Sequence, residues 1–399
     1  MFWRVAWRSL SQRKSSVALT IAALALSILV LVGIEHVRQN AKSAFARTIS
    51  GTDLIVGART GDINLLLYSV FRLGNASNNV SWRSYQEIAA LPDVAWTIPL
   101  SLGDSHKGYK VLGTNESYFN HYRYGQSLPL TFAAGREFHA AFEVVLGAEV
   151  ARRLGYKLGD ELVLAHGTAA TSFTLHDEHP FTVVGILKPT GTPVDQTLHI
   201  SLAGLEAIHR KGAAHDLEPE SITAFLVGLK SRVKVFQVQR AVSQYRGEPL
   251  QAILPGVVLT QFWSSLGVME GTLRFVSALV LVAALFGMSA MLLASMRERK
   301  REILLLRTVG ASPWFIALLL QLEVLLMTTL ATVAAYAVST VLLTLGRSYI
   351  VDSFGLHISA NLFYPATGYM LGAVYTGAVI VGFVPAFAAY RFSRHPSHF

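Results

Sequence analysis

Arg297-Glu298-Arg299-Lys300-Arg301-Glu302-Ile303-Leu304-Leu305-Leu306-Arg307-Thr308-Val309-Gly310-Ala311-Ser312-Pro313 is the stretch on which the reading of this chain turns. Seven of its first eleven residues are charged, and it lies between two long apolar runs, residues 275–295 and 314–345. A chain patterned in this way leaves a membrane, makes a short polar bend at the surface and enters again. As a helix, the bend can turn Ile303, Leu305 and Leu306 one way and Arg299 and Glu302 another. Gly310 then supplies a stop, and Ser312-Pro313 the start of the next helix. Such an element lies along the membrane surface with an apolar side available to a partner. Arg and Lys also collect on cytoplasmic loops for orientation alone, but an orientation signal requires no Glu pair, no Leu-Leu-Leu and no Gly-Ala-Ser ending.

The bulk properties fit this bend. The chain has 399 residues, 52% of them hydrophobic, and a mean hydropathy of +0.42. That is too apolar for an ordinary soluble enzyme and too charged for a chain wholly inside a membrane. Four apolar runs, residues 17–34, 275–295, 314–345 and 366–389, are long enough to cross a bilayer. Between the first two lies a globular composition sufficient for one or two folded subdomains. The net charge of +9 sits largely beside the runs, where it sets orientation and does not point to nucleic acid. With no cysteine there are neither disulfides nor thiolate metal sites.

In chain order, residues 1–16 alternate Phe2, Trp3, Val5, Trp7 and Leu10 with Arg4, Arg8, Arg13 and Lys14, an amphipathic interfacial helix. The run at 17–34 resembles a signal peptide, but it is long, and Glu35-His36-Val37-Arg38 follows where small residues would be needed for cleavage. It reads as a retained first span, continued by a helical stalk to residue 50. Residues 51–259 have the rhythm of a mixed α/β domain, with a short helix stopped at Pro92, strands at 94–100, 110–114, 143–147, 181–187 and 221–229, and helices at 148–154, 205–211 and 234–245. A second stalk and span follow at 260–296, with Phe262 and Trp263 as an interface anchor and Glu270 and Arg274 spaced to pair along one helix. The third span, 314–346, is longer than hydrocarbon requires and carries Glu323, read as structural or interfacial for want of further ionisable partners. A short outer loop at 347–365 leads to the fourth span, 366–390, in which Gly368 and Gly372 allow close helix approach, and to a tail at 391–399. Basic residues crowd the amino end, the bend and the carboxyl end, whereas the short outer loop holds only Arg347, so both termini are expected inside.

Two stretches carry a resemblance to a known family. Arg301-Glu302-Ile303 with Leu306-Arg307-Thr308-Val309-Gly310-Ala311-Ser312 resembles the R-E-I-x-x-L-R-x-x-G-A-S signature of the MacB/FtsX/LolC permeases of ABC transporters, a mechanotransmission group. Gly135-Arg136-Glu137-Phe138, Val144 to Gly155 and Leu158-Gly159-Asp160 are similar to the G-R-x-F … V-V-L-G-x-x-V-A-x-x-L-G … L-G-D run of its outer domain, as Asp53 to Gly57 is to its first strand. The resemblance implies a membrane α-helical protein with four transmembrane helices and an α/β extracytoplasmic domain of MacB periplasmic-core type with an inserted subdomain. It makes residues 297–313 a coupling helix, in which Glu298, Arg301, Glu302 and Arg307 meet an ATPase by polar contacts, Leu304, Leu305 and Leu306 by apolar ones, and Gly310, Ala311 and Ser312 set the re-entry. It further implies an inner-membrane location, a periplasmic head, an ATPase dimer as partner, a second permease copy and a periplasmic binding or adaptor protein.

No catalytic motif stands against this. A phosphate-binding G-x-x-x-x-G-K-[ST] loop needs a Gly-Lys dipeptide, which the chain lacks, so ATP and magnesium belong to a partner chain and this subunit is not itself an enzyme. His176-Asp177-Glu178-His179, with His166 earlier, has the donor chemistry of a zinc site or of a surface loop that happens to be polar. Two other functions remain open at this point: a transmembrane signalling subunit that activates an extracytoplasmic partner, and a metal-linked membrane sensor without an ATPase.

Overall fold

The structure, a computed structural model, describes residues 13–166, 180–209, 218–298, 303, 305, 307–354 and 361–394. The chain forms two compact units, one of Met1–Asn40, Gly267–Tyr349 and Ile358–Phe399, the other of Ala41–Leu266 and Ile350–His357. Most of the expected interfacial helix at 1–16 lies outside the described residues.

The first unit holds the greater part of four long helices, Lys14–Thr48, Pro255–Glu298, Pro313–Phe354 and Pro365–Arg394, of which residues 41–48, 255–266 and 350–354 are counted with the second unit. Each contains a stretch long and apolar enough to span a bilayer. Three of the four open on proline, which costs nothing at a first helical position because that N–H has no partner there. The third helix is central: 61% of its apolar window is buried, against 28% in each of the others. Around it Leu24, Ile28, Met288, Val324, Met327, Ala331, Ala335 and Ala378 form one apolar cluster, and Glu323 is buried on the same helix. The third helix runs to Phe354, past the expected end at 346, so the outer loop is shorter than its sequence suggested.

Two local expectations fail in this unit. Gly368 and Gly372 have no atom within 4 Å of where a Cβ would stand; close approach occurs instead at Gly377, 3.1 Å from Leu285, and at Gly382, 2.8 Å from Gln321 Oε1. The Gly-x-x-x-Gly spacing describes a surface, and only the facing helix decides which small residue is used. Glu270 does not pair with Arg274 along its own helix either. Arg274 Nη2 reaches Glu35 Oε2 on the first helix at 2.9 Å, and Glu270 lies 3.9 Å from Arg38.

The second unit carries nine principal strands: β1 Leu54–Ala58, β2 Val94–His106, β3 Tyr109–Thr114, β4 Phe132–Gly135, β5 Glu143–Leu146, β6 Phe181–Leu187, β7 Thr197–Ser201, β8 Ala224–Leu229 and β9 Leu250–Ile253. Their order is β9-β1-β8-β2-β3-β7-β5-β6-β4, with Ala165–His166 beside β2 and Glu161–Leu162 beside β6. The β3–β7 and β5–β6 pairs are parallel, and the other pairs on this path are antiparallel. The long strand β2 joins two lobes. Its residues 94–100 pair with β8 and its residues 101–106 with β3, with an irregular register near Leu102. Strands β3 to β7 therefore fall in sequence between two strands of the first lobe, which is the inserted subdomain.

The continuous apolar runs in these strands follow from cover on both faces. Ile55, Leu226 and Ile253 face one cluster with helix Asp62–Phe71, and Leu54, Val56, Phe225 and Val227 face another with helices Trp82–Ala89 and Val235–Ser243. In the inserted lobe, Val144, Leu146, Phe181, Val183 and Leu198 pack against helix Ala148–Leu154. The compact unit is wider than the expected 51–259. Phe45, expected on a stalk, packs on Phe71 at 4.3 Å, and Phe262 and Trp263, expected at a membrane interface, lie 5.8 and 5.5 Å from the same ring.

Candidate functional site

The polar bend is a structured turn at its carboxyl end. Gly310 takes φ +98°, a conformation that a side chain disfavours, and its N–H donates to Arg307 O at 3.0 Å. Ser312 Oγ accepts from Phe315 N at 3.2 Å, so Ser312 caps the third helix and Pro313 occupies its first position. Arg307 Nη1 donates to Ala311 O at 2.9 Å, closing the turn from outside. Arg307 thus bonds to both Gly310 and Ala311 while Ser312 caps the helix that follows, which gives the Gly-Ala-Ser ending a local physical cause.

One residue pins this turn and others stand clear. Ile303 is 6% exposed, packed with Ile316, Leu320 and Ala389 and flanked by Met296 and Phe315. Leu305 is 65% exposed and Val309 88%. Val309 N donates to Leu305 O at 3.1 Å, so the two side chains stand one helical turn apart on one side. Ile303 and Leu305 were expected to share a face; they do not, because Ile303 is drawn into the cleft between the third and fourth helices. Arg301, Glu302, Leu304 and Leu306, and the side chain of Glu298, lie outside the described residues. Val309 is a further exposed apolar side chain on this turn, not among the residues expected there. Its signal was the spacing of four from Leu305.

A second polar constellation lies on the first two helices. Glu35, 4% exposed, accepts from Arg38 through Nε and Nη2, from Gln39 Nε2 at 3.1 Å and from Arg274 Nη2 at 2.9 Å. Two carboxylates and two guanidiniums meet there across 239 positions of sequence. That separation is why it was not legible in the sequence.

The histidines divide differently. His176 and His179 lie outside the described residues, as does the side chain of His166, whose backbone pairs with Asp104. Among the described residues no group of three or more His, Asp or Glu could hold a metal. His199 is fully buried against Tyr118, and burial pushes its pKa down to about 3, so the imidazole is neutral. His106 is held by Val163 O at 2.6 Å and the Tyr156 hydroxyl at 2.9 Å, and burial lowers its pKa as well. These two are packing residues.

Comparison with known families covers both units. The MacB-like periplasmic core domain matches residues 17–245, and the FtsX-like permease C-terminal domain matches residues 274–397. The chain belongs to the MacB/FtsX/LolC family of ABC transporter permeases. No curated relative matches it. Among solved structures, the periplasmic region of MacB from Actinobacillus actinomycetemcomitans aligns at 12% identity over 54% of this chain and 94% of that one, with a TM-score of 0.37. The extracellular domain of YknZ, a noncanonic ABC-type transporter from Gram-positive bacteria, aligns at 12% identity over 51% and 98%, with a TM-score of 0.32. Within the MacB/FtsX/LolC family such chains are the permease-type transmembrane subunits, and they work with ABC ATPase partners.

Proposed function

We propose that this permease couples ATP hydrolysis on a separate ATPase dimer to conformational change in its α/β head, and that the turn before the third helix is where the ATPase docks. The observation that carries this is the exposed Leu305–Val309 pair on a turn fixed by Ile303 on one side and by the Ser312 cap on the other. Exposed apolar side chains on a rigid polar element mark a partner surface. A docked load then meets little local give. The second long helix, 44 residues and about 66 Å at 1.5 Å per residue, is more than twice the length that hydrocarbon demands, so it suits transmission of movement along its axis. Substrate is moved by this mechanical route, by export or by extraction from the membrane, and ATP and magnesium are handled by the partner. A second copy of the permease completes the assembly, in the inner membrane with the head in the periplasm.

Leu305→Asp and Val309→Asp test the docking role. Both side chains are exposed, so melting of the purified permease should move little. Co-purification of ATPase activity should fall by about tenfold or more, as expected for an apolar anchor replaced by a charge. Undiminished ATPase activity with the double variant would place the docking surface elsewhere.

A further inference from the structure

Lys14, which opens the first long helix, is 21 positions from Glu35, and Arg274 is 22 from Met296, the end of the second span. At 1.5 Å per residue both intervals come to about 32 Å, the depth of a bilayer's hydrocarbon. The Glu35–Arg38–Arg274 cluster therefore lies at headgroup level in the leaflet opposite the Leu305–Val309 turn. There a cavity of about 370 Å³ sits among the first, second and fourth helices. Leu31, Ile34, Ala366 and Met370 make it apolar, and Arg274 and Tyr369 stand beside them.

The charged group of this cavity with hydrogen-bonding capacity to spare is a cation. Glu35 is saturated by Arg38, Gln39 and Arg274, so it has nothing to offer a cation. Arg274 commits only Nη2 to Glu35, and its side chain is 51% exposed. Its Nε and Nη1 make no bond among the described residues. Tyr369 is 83% exposed at the same place. A guanidinium with an unused edge and a neighbouring phenol fit an anionic oxygen cluster, and the apolar wall fits hydrocarbon attached to it.

We propose that this cavity holds one phospholipid of the surrounding bilayer, with its phosphate on Arg274 and Tyr369 and an acyl chain along Leu31, Ile34 and Met370. The two carboxylates and two guanidiniums of the cluster cancel, so recognition works through directed donors and requires the phosphate itself. A neutral lipid with the same chains is a poor ligand.

Native mass spectrometry of the detergent-purified full chain tests this, with dioleoyl phosphatidylglycerol and dioleoylglycerol as probes. The wild type should retain one phosphatidylglycerol and release dioleoylglycerol. Arg274→Gln should weaken phosphatidylglycerol retention by about tenfold, the scale of a lost charge-assisted hydrogen bond. Ala366→Phe, which fills the trough and leaves the ion cluster untouched, should abolish retention with an unchanged melting temperature, so the proposal stays testable if Arg274→Gln folds poorly. Equal retention of phosphatidylglycerol by the wild type and Ala366→Phe, or equal retention of the two lipids by the wild type, would overturn it.

Discussion

Gly310 holds a backbone conformation, φ +98°, that costs an L-residue about 1–2 kcal/mol, and no neighbouring atom lies within 4 Å of where a Cβ would stand. Gly310→Ala should therefore act through the backbone alone. It should loosen the turn and lower ATPase stimulation, while a substitution at the equally open Gly368, which has no positive φ, leaves stimulation unchanged. A stimulation assay on the two variants separates strain from bulk. Glu143 is a second case in which one residue explains a motif. Arg136 bonds both its oxygens at 2.9 and 2.6 Å, and the N–H groups of His139 and Ala140 add to this, so the carboxyl is held down to about 2. A folded pKa below the ordinary 4.5 means that the stabilisation is complete above pH 4.5 and is lost as the pH falls towards 2. Arg136 is half exposed, so solvent screening leaves only a small part of this as stability. The unfolding midpoint of Glu143→Gln should be lower than wild type at pH 7 and should converge with it by pH 2. Gly135 and Phe138 complete the run: a Cβ at Gly135 would stand 2.0 Å from Val184 O, and Phe138 is buried.

At the scale of elements, the ion cluster joins two helices that are each legible in the sequence by themselves. Glu35 is buried and serves two guanidiniums, so Glu35→Gln leaves Arg38 and Arg274 facing a neutral amide and should cost about 2–3 kcal/mol, the scale of lost charge-assisted hydrogen bonds. Arg274→Gln leaves the Glu35–Arg38 pair in place and removes a half-exposed partner, which should cost about 1 kcal/mol. Thermal melting of the two variants in detergent should show that order, and the reverse order would mean that Arg274 is the keystone. The same cluster shows where sequence reading stops. The four spans were legible because apolar length is a local property, and β1, β5 and β6 because unbroken runs such as Leu54-Ile55-Val56 and Val144-Val145-Leu146 mark strands buried on both faces. Helix Asp62–Phe71 gives no sequence signal because its burial masks any helical period, and β7 gives none because the buried His199 interrupts its apolar pattern. The partner of Arg274, the inward turn of Ile303 and the small residue used in the fourth helix are all chosen by a facing element. No local window contains that information.

At the scale of the whole molecule, the head's own core reaches into the ends of the long helices. Phe45 lies against Phe71, Phe262 and Trp263, the Tyr122 hydroxyl donates to Thr48 O at 2.5 Å, and Gly125 N donates to Arg47 O at 2.7 Å. All of these residues belong to the unit Ala41–Leu266, and their partners lie on both sides of the strand-bearing segment. A soluble fragment of residues 41–266 should therefore melt as one cooperative unit, whereas a fragment trimmed to the strands and short helices, residues 51–254, loses one side of that core. For the half-buried Phe45 alone, Phe45→Ala in the longer fragment should cost about 2 kcal/mol. In a domain of this size that corresponds to about 4–8 °C in the melting midpoint. Trimming removes Phe262, Trp263 and two backbone acceptors as well, so the shorter fragment should melt lower than the Phe45→Ala variant. Equal melting of the two fragments would make residues 41–50 and 255–266 appendages of the head, and movement of the long helices would then have no packed core through which to act on it.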